Sequence, residues 1–233
     1  MPRFGSTYPQ LGMAAGAAVL IALSAAACGN GPPDEKDYVR RINAERSAKD
    51  AEFQRLPAPV PGNRKAELLP LVYYPVDSSY NVPAELKPSS ESPTLTMPTS
   101  NGEMRPMRRV GALEFTLKGQ PLRLTAFVEA GAPDVNHLFV PFRDLTTGTE
   151  TYEAGRYLDL DRTVTGLYEL DFNLAYNPNC YFSPMYSCPI PPKENHLSIA
   201  VQAGERVKKS EGKPDLSESK PDLEVVPPPR SPR

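Results

Sequence analysis

The residues most able to do chemistry lie between Leu138 and Cys188, a stretch dense in Arg, Asp, Glu, Tyr and Asn between short apolar runs. Arg143 and Asp144 end the run LFVPF and precede the turn Thr146-Thr147-Gly148. Glu150 and Tyr152 follow, and Gly155 opens a second run that begins with Arg156. If the two runs pair as a hairpin, Arg143, Glu150, Tyr152 and Arg156 meet near one end of a sheet. Guanidinium groups in such a place can grip a carboxylate or phosphate through two parallel hydrogen bonds. The same side chains can instead stitch the turn together as an internal ion-pair network. The segment DFNLAYNPNC adds Asp171, Asn173 and Asn177. Asp171 reads either as a general base or ligand-orienting carboxylate, or as part of a loop held by its own Asn and Asp side chains. Together these residues form the candidate site for a small anionic ligand. No residue is assigned a catalytic role.

Cys180 and Cys188 stand eight positions apart with Pro184 between them. In an oxidising exported compartment the expectation is a disulfide, worth about 2.5–3 kcal/mol for so short a loop. The rival reading is a redox or thiol-catalytic pair, against which stand the absence of CxxC spacing and of a local histidine. With only two histidines, His137 and His196, there is little room for a His-rich metal site. Nothing matches a serine nucleophile elbow, a phosphate-cradling loop, a zinc-ligand cluster or a dinucleotide fingerprint. Hence no metal and no cofactor is expected. A net charge of -2 gives no case for a nucleic-acid partner.

Several elements must position these groups. Residues 1–28 read as a targeting segment: Arg3, then the apolar run Leu11–Ala27, ending in small residues at Cys28. The layout resembles a bacterial lipobox, in which the cysteine is acylated (palmitate-type chains) and becomes the new N-terminus. Ala25 stands where leucine is usual. The expected location is therefore the cell envelope, with the membrane as partner through Cys28. An uncleaved anchor and a secreted form are the alternatives. Residues 29–67 supply a tether, one helix over 34–56 capped by Asp34, and a Pro-rich connector. Glu45 and Lys49 are placed for an ion pair on the helix surface.

From 68 to 205 the pattern is of short strands bounded by Gly, Pro, Asn and Asp, in a chain with 28 prolines. VGALEFTL and LRLTAFVEA alternate on either side of Lys118-Gly119-Gln120-Pro121 and predict a hairpin. LLPLVYYPV, YNVPAEL, TLTMPTS, LFVPF, GRYLDL, LYELDF and HLSIAVQ are further candidate strands. With no interleaved helices, this predicts an all-β antiparallel sandwich or partly closed barrel with one N-terminal helix. Residues 206–233, with KPDL repeated, predict a disordered charged tail.

FVPFRDLTTGTETYEAGRYLDL, LDFNLAYNPNCYFSPMYSCPIPPKEN and the closing AGE at Ala203–Glu205 resemble the bacterial family called domain of unknown function 1684. MPTS, VGALEFTLKGQPLRLTAF, YYPVDSSY and the KDAEF helix resemble its compact members. The resemblance covers roughly Asp50 to Glu205 and implies no established activity. The family usually has Asn-Arg where this chain has Asn195-His196, which puts a basic group there in doubt. Compact members often lack a lipobox, and a reducing cytosol would then weaken a purely disulfide account of the two cysteines. Two functions follow: a small-molecule binding protein or enzyme acting at the polar sheet end, or a non-catalytic envelope interaction module with unknown protein partners. A concave pocket favours the first; a flat face of internally paired side chains favours the second.

Overall fold

The computed structural model describes residues 34–55, 59–91, 94–133 and 135–208. The expected signal segment with Cys28, the tether, and the tail from 209 onward lie outside the described residues. In chain order the elements are helix α1 (Glu35–Gln54), the short helix α2 (Lys65–Leu68), and strands β1 (Val72–Tyr73), β2 (Asn81–Pro88), β3 (Thr94–Pro98), β4 (Met104–Leu117) and β5 (Gln120–Glu129). Then come β6 (His137–Phe142), β7 (Arg156–Asp161), β8 (Leu167–Asp171), the single helical turn α3 (Asn179–Phe182) and β9 (Glu205–Arg206).

Seven strands form one antiparallel sheet in the order β7-β6-β5-β4-β2-β8, with β3 added along β4. β7 and β8 end that order yet follow each other directly in sequence. The sheet therefore curls round into a nearly closed barrel, as expected for strands that must hide one apolar face without a second sheet. β1 and β9 pair separately.

Alternation in β4 and β5 supplies the barrel core. Leu113, Phe115 and Leu117 interleave with Leu124, Ala126 and Val128, joined by Leu138, Val140, Phe142, Leu158 and Leu170. The turn at Lys118-Gly119 has φ of 50° and 76°, the two-residue geometry whose twist matches that of the strands it joins. A bulge between Arg109 and Gly111 shifts the register of β4. It has a structural consequence: Met107 and Leu113, both odd-numbered, fall on opposite faces. Met107 joins Met97 and Phe127 in a second apolar layer outside the barrel, with Phe139 packed against it. A side chain at Gly111 would press on the Lys87 carbonyl oxygen at 2.4 Å, so the bulge needs glycine where the backbones close up.

α1 is capped by Asp34, whose carboxylate accepts from the Lys36 N–H at 3.2 Å. Its apolar stripe is thin: Tyr38, Ile42 and Phe53 are its buried residues. Polar bonds do much of the docking. Arg46 donates to the carbonyls of Tyr74 (2.9 Å) and Asn173 (3.1 Å), and the Leu71 N–H donates to Asp50 (2.8 Å). The expected Glu45–Lys49 pair is not formed: Glu45 takes Arg41 at 3.0 Å, while Lys49 turns inward to Glu205 at 2.5 Å.

Three further expectations are corrected. LLPLVYYPV contributes only the two residues of β1. HLSIAVQ does not form a strand, although Leu197, Ile199 and Val201 are buried in alternation. The Val201 carbonyl turns to the buried Arg156 and the Ile199 carbonyl to the Leu145 N–H, while the Leu197 and Val201 amides go to the Arg143 carbonyl and the Asp144 carboxylate, so no ladder forms. The fold also runs past 205: Arg206 is in β9, and Lys208 donates to the Tyr181 hydroxyl and the Leu69 carbonyl.

Candidate functional site

The β6–β7 hairpin forms as expected, pairing Phe142 with Arg156 and so bringing Arg143, Asp144 and Arg156 to one sheet end. They do not share a pocket. Arg156 is 1% exposed, and its guanidinium meets Asp144 at 2.9 Å and the carbonyls of Val201 (2.8 Å), Ala203 and Glu205 (3.2 Å). Its Nε–H alone lacks a partner among the described residues. The other Asp144 oxygen accepts the Thr146 N–H (2.7 Å), the Thr146 hydroxyl (2.6 Å) and the Val201 N–H (3.2 Å). This is the internal network, not the anion grip: every carboxylate oxygen and both guanidinium NH2 groups are engaged within the protein. Arg143 faces outward and donates to the Glu153 carbonyl, beside a hollow of about 270 Å³ shared with Thr147 and His196. Glu150 pairs at 3.6 Å with Arg206 across the β9 end. Tyr152 stacks edgewise on Tyr181, 5.3 Å between centroids, and belongs with the cysteines.

Asp171 is elsewhere. It accepts the Tyr38 hydroxyl at 2.9 Å on both oxygens and caps the turn 172–174 through the Asn173 N–H at 3.0 Å. Burial pushes its carboxyl up. Asn173, fully buried, bonds the Asp77 N–H, the Asp77 carbonyl and Tyr38. Asn177 gives its N–H to Glu205 (2.8 Å) and its amide to the Arg206 carbonyl (3.1 Å). These three residues fasten α1 and β9 to the barrel, and among the described residues Asp171 lines none of the main cavities. In the closing AGE, Gly204 has φ of 78°, and a side chain there would meet the Ala175 and Phe172 carbonyls at 2.5 and 2.7 Å. The motif is thus explained by backbone closure and by its buried glutamate.

The expected disulfide is absent: Cys180 and Cys188 are free thiols, Cys180 half-buried and Cys188 buried. They are neighbours all the same. The Cys180 N–H donates to the Cys188 sulfur at 3.1 Å, and the Cys188 backbone is bonded to Ser100 in both directions. Hydrogen bonds from the Cys188 thiol, Ser100 and Tyr152 hold the Cys180 thiol down to about 6 against the opposing cost of burial. The partner Cys188 is pushed up by that same bond and by burial.

The cavity best shaped for a ligand is one the sequence did not point to. About 740 Å³ lies between the outer face of β4–β7 and the segment 176–189. Met107, Phe139 and Tyr157 line it on the barrel side, with the Phe139 and Tyr157 rings edge to face at 4.7 Å. Tyr176, hydrogen-bonded to Asp159 at 2.5 Å, forms a wall. Met185, Cys188 and Pro189 lie opposite, and Arg105 and His137 stand at the rim. The covering segment is pinned by the Tyr157 hydroxyl to the Pro189 carbonyl (2.5 Å) and by Arg105 to the Ser187 carbonyl (2.8 Å). Burial pushes the Tyr157 and Tyr176 phenols far up, so both remain neutral donors. Volume and lining match those of small-molecule sites. A hollow of about 930 Å³ beside β2 and β5 is larger but more open. The one sequence signal for the cavity was Phe139, an aromatic facing away from the barrel core within LFVPF. Among the described residues no group of three or more His, Cys, Asp or Glu could hold a metal ion.

Residues 67–206 match the family described as "Protein of unknown function (DUF1684)". An uncharacterised protein of Haloarcula marismortui, solved by solution NMR, is similar: 37% identity, TM-score 0.60, covering 75% of this chain and 96% of that one. No curated protein matches.

Proposed function

The chain belongs to the DUF1684 family, and from its own geometry we propose that it is a small-molecule binding protein whose site is the cavity over β4–β7. The carrying observation is the roughly 740 Å³ space backed by the outward-facing Phe139 and Tyr157 rings, with the Arg105 guanidinium at its rim. The ligand class is a flat, largely aromatic molecule carrying an anionic group. The rings take its apolar face, and Arg105, 38% exposed and held only loosely by Glu129 at 3.8 Å, takes the charge. The anion of the sequence reading is thus retained but moved from Arg143 and Arg156 to Arg105.

Anilinonaphthalene sulfonate, an aromatic anion, tests this reading. Native protein is expected to bind it saturably at one site. Arg105→Gln should weaken binding roughly tenfold, the loss of a charge-assisted bond of about 1.5 kcal/mol. Ala132→Trp, which fills the cavity, should abolish it. Absent binding, or equal binding by wild type and both variants, refutes the site.

The cell address is part of the same proposal: exported, and held to the membrane by acyl chains on Cys28. Its support is the apolar run ending Ala25-Ala26-Ala27 directly before Cys28. Stable anchoring takes two or more chains, as one alone binds marginally. Cys28→Ser is expected to yield unprocessed precursor or released protein. Mass spectrometry of the wild-type membrane fraction showing an intact Met1 terminus would sink the assignment. Among the described residues no helix is long and apolar enough to cross a membrane.

A further inference from the structure

We propose that Cys180 and Cys188 are a hydroperoxide-reactive dithiol, with Cys180 as the attacking thiol and Cys188 as the resolving one. Four observations converge. The Cys180 N–H donates to the Cys188 sulfur at 3.1 Å, which holds the two residues side by side. Their exposure differs as the two roles require: Cys180 is half-buried and Cys188 is buried. The Ser100 hydroxyl accepts the Cys188 N–H at 3.2 Å, which places a hydroxyl beside the pair, and an anionic sulfur takes far more from such a donor than a neutral one does. Between the cysteines the tip of the loop, at Pro184 and the 90% exposed Met185, is open to solvent.

Thiolate stabilisation by hydrogen bonds, together with exposure, marks the cysteines that oxidise selectively. The low value for the Cys180 thiol, about 6, agrees with this geometry. The chemistry balances in two steps. The Cys180 thiolate attacks one peroxide oxygen; an S–O bond forms, the O–O bond breaks, and the departing hydroxide takes a proton as water (or leaves as an alcohol from an organic hydroperoxide). Sulfur is oxidised to a sulfenic acid and the peroxide is reduced. Cys188, losing its proton, then attacks the Cys180 sulfur; an S–S bond forms, the S–O bond breaks, and a second water leaves. Two thiols and one hydrogen peroxide become one disulfide and two waters. The reduced protein holds the dithiol, and the disulfide read from the sequence is its oxidised product. Because Cys188 also lines the β4–β7 cavity, oxidation would reshape that wall. The thiol reaction itself does not depend on whether the cavity is filled.

The test uses full-length protein, reduced and then exposed to hydrogen peroxide. Peptide mapping after alkylation is expected to show the 180 and 188 peptides linked, with Cys28 in neither. In Cys188→Ser, dimedone should trap a sulfenic acid on Cys180. In wild type, iodoacetamide alkylation of Cys180 should rise with pH through about 6 and level off by neutrality, since only the thiolate reacts; an ordinary cysteine rises around 8.5 instead. Wild-type protein that keeps both thiols alkylatable after excess peroxide overturns the proposal. So does an ordinary Cys180 profile, and neither result depends on a variant folding.

Discussion

Arg156→Ala is expected to lower the unfolding free energy by about 3–5 kcal/mol, the cost of removing one partner of a buried ion pair. The side chains of Arg156 and Asp144 are each 1% exposed. Without the guanidinium, one Asp144 oxygen loses its only bond among the described residues, since Thr146 and Val201 serve the other. The carbonyls of Val201, Ala203 and Glu205 lose their donor in the same step. The strip 197–205 follows the barrel core without joining its ladders, and Arg156 stands in for the missing strand. Lysine cannot restore this, because one ammonium cannot span three carbonyls and a carboxylate. Arg143→Ala, by contrast, removes a half-exposed side chain bonded to one carbonyl and should cost within about 1 kcal/mol. Urea titration of both variants, with the slope checked for two-state behaviour, measures the difference. A loss under about 1 kcal/mol for Arg156→Ala, with anions raising the wild-type melting temperature, would make Arg156 a ligand group after all.

That contrast explains what the sequence could and could not disclose. Alternation in VGALEFTL and LRLTAFVEA announced β4, the turn and β5, because strands with one face on a core have period two. The same rule misled at HLSIAVQ. Alternation reports which side chains are buried, and here the backbone bonds go to Arg156, Asp144 and loop backbone. The density of Arg, Asp and Asn in the central stretch was a true signal of constraint, but of closure and not of recognition. Asp171 and Asn173 hold a helix more than a hundred residues earlier in sequence, a partnership that no local pattern encodes. The cavity was hidden for a related reason. Its barrel side depends on the bulge at Arg109–Gly111, which turns Met107 outward, and its cover arrives from 176–189. Neither segment looks like a site alone; Tyr157 and Arg105 become site residues only once the two meet.

Lys49→Met is expected to cost about 3 kcal/mol, near the lower end for a broken buried pair, because Lys49 itself is partly exposed. Its partner is not: the Glu205 side chain is 2% exposed, 2.5 Å from the Lys49 ammonium. Methionine keeps the stem packed near Phe53 and Tyr176, rings that the ammonium overlies at 5.3 and 4.7 Å, and so isolates the charge from the packing. What remains is a buried carboxylate with the Asn177 N–H as its one other bonded donor among the described residues. Glu205→Gln should cost less, since a neutral amide oxygen can still accept from Asn177 while Lys49 turns to water. In the double variant no buried charge is left, and much of the Lys49→Met loss should return, a coupling of about 1–2 kcal/mol for residues in direct contact. Strict additivity would mean that the two charges do not act as a pair. The consequence reaches beyond one ion pair, because the family match begins at residue 67 and α1 precedes it. Glu205 receives α1 through Lys49 and the 176–189 cover through Asn177, on one side chain. Loss of this anchor should therefore loosen both together: faster proteolysis within 34–55, and weaker binding of the aromatic anion at the cavity, from a substitution that does not touch the cavity.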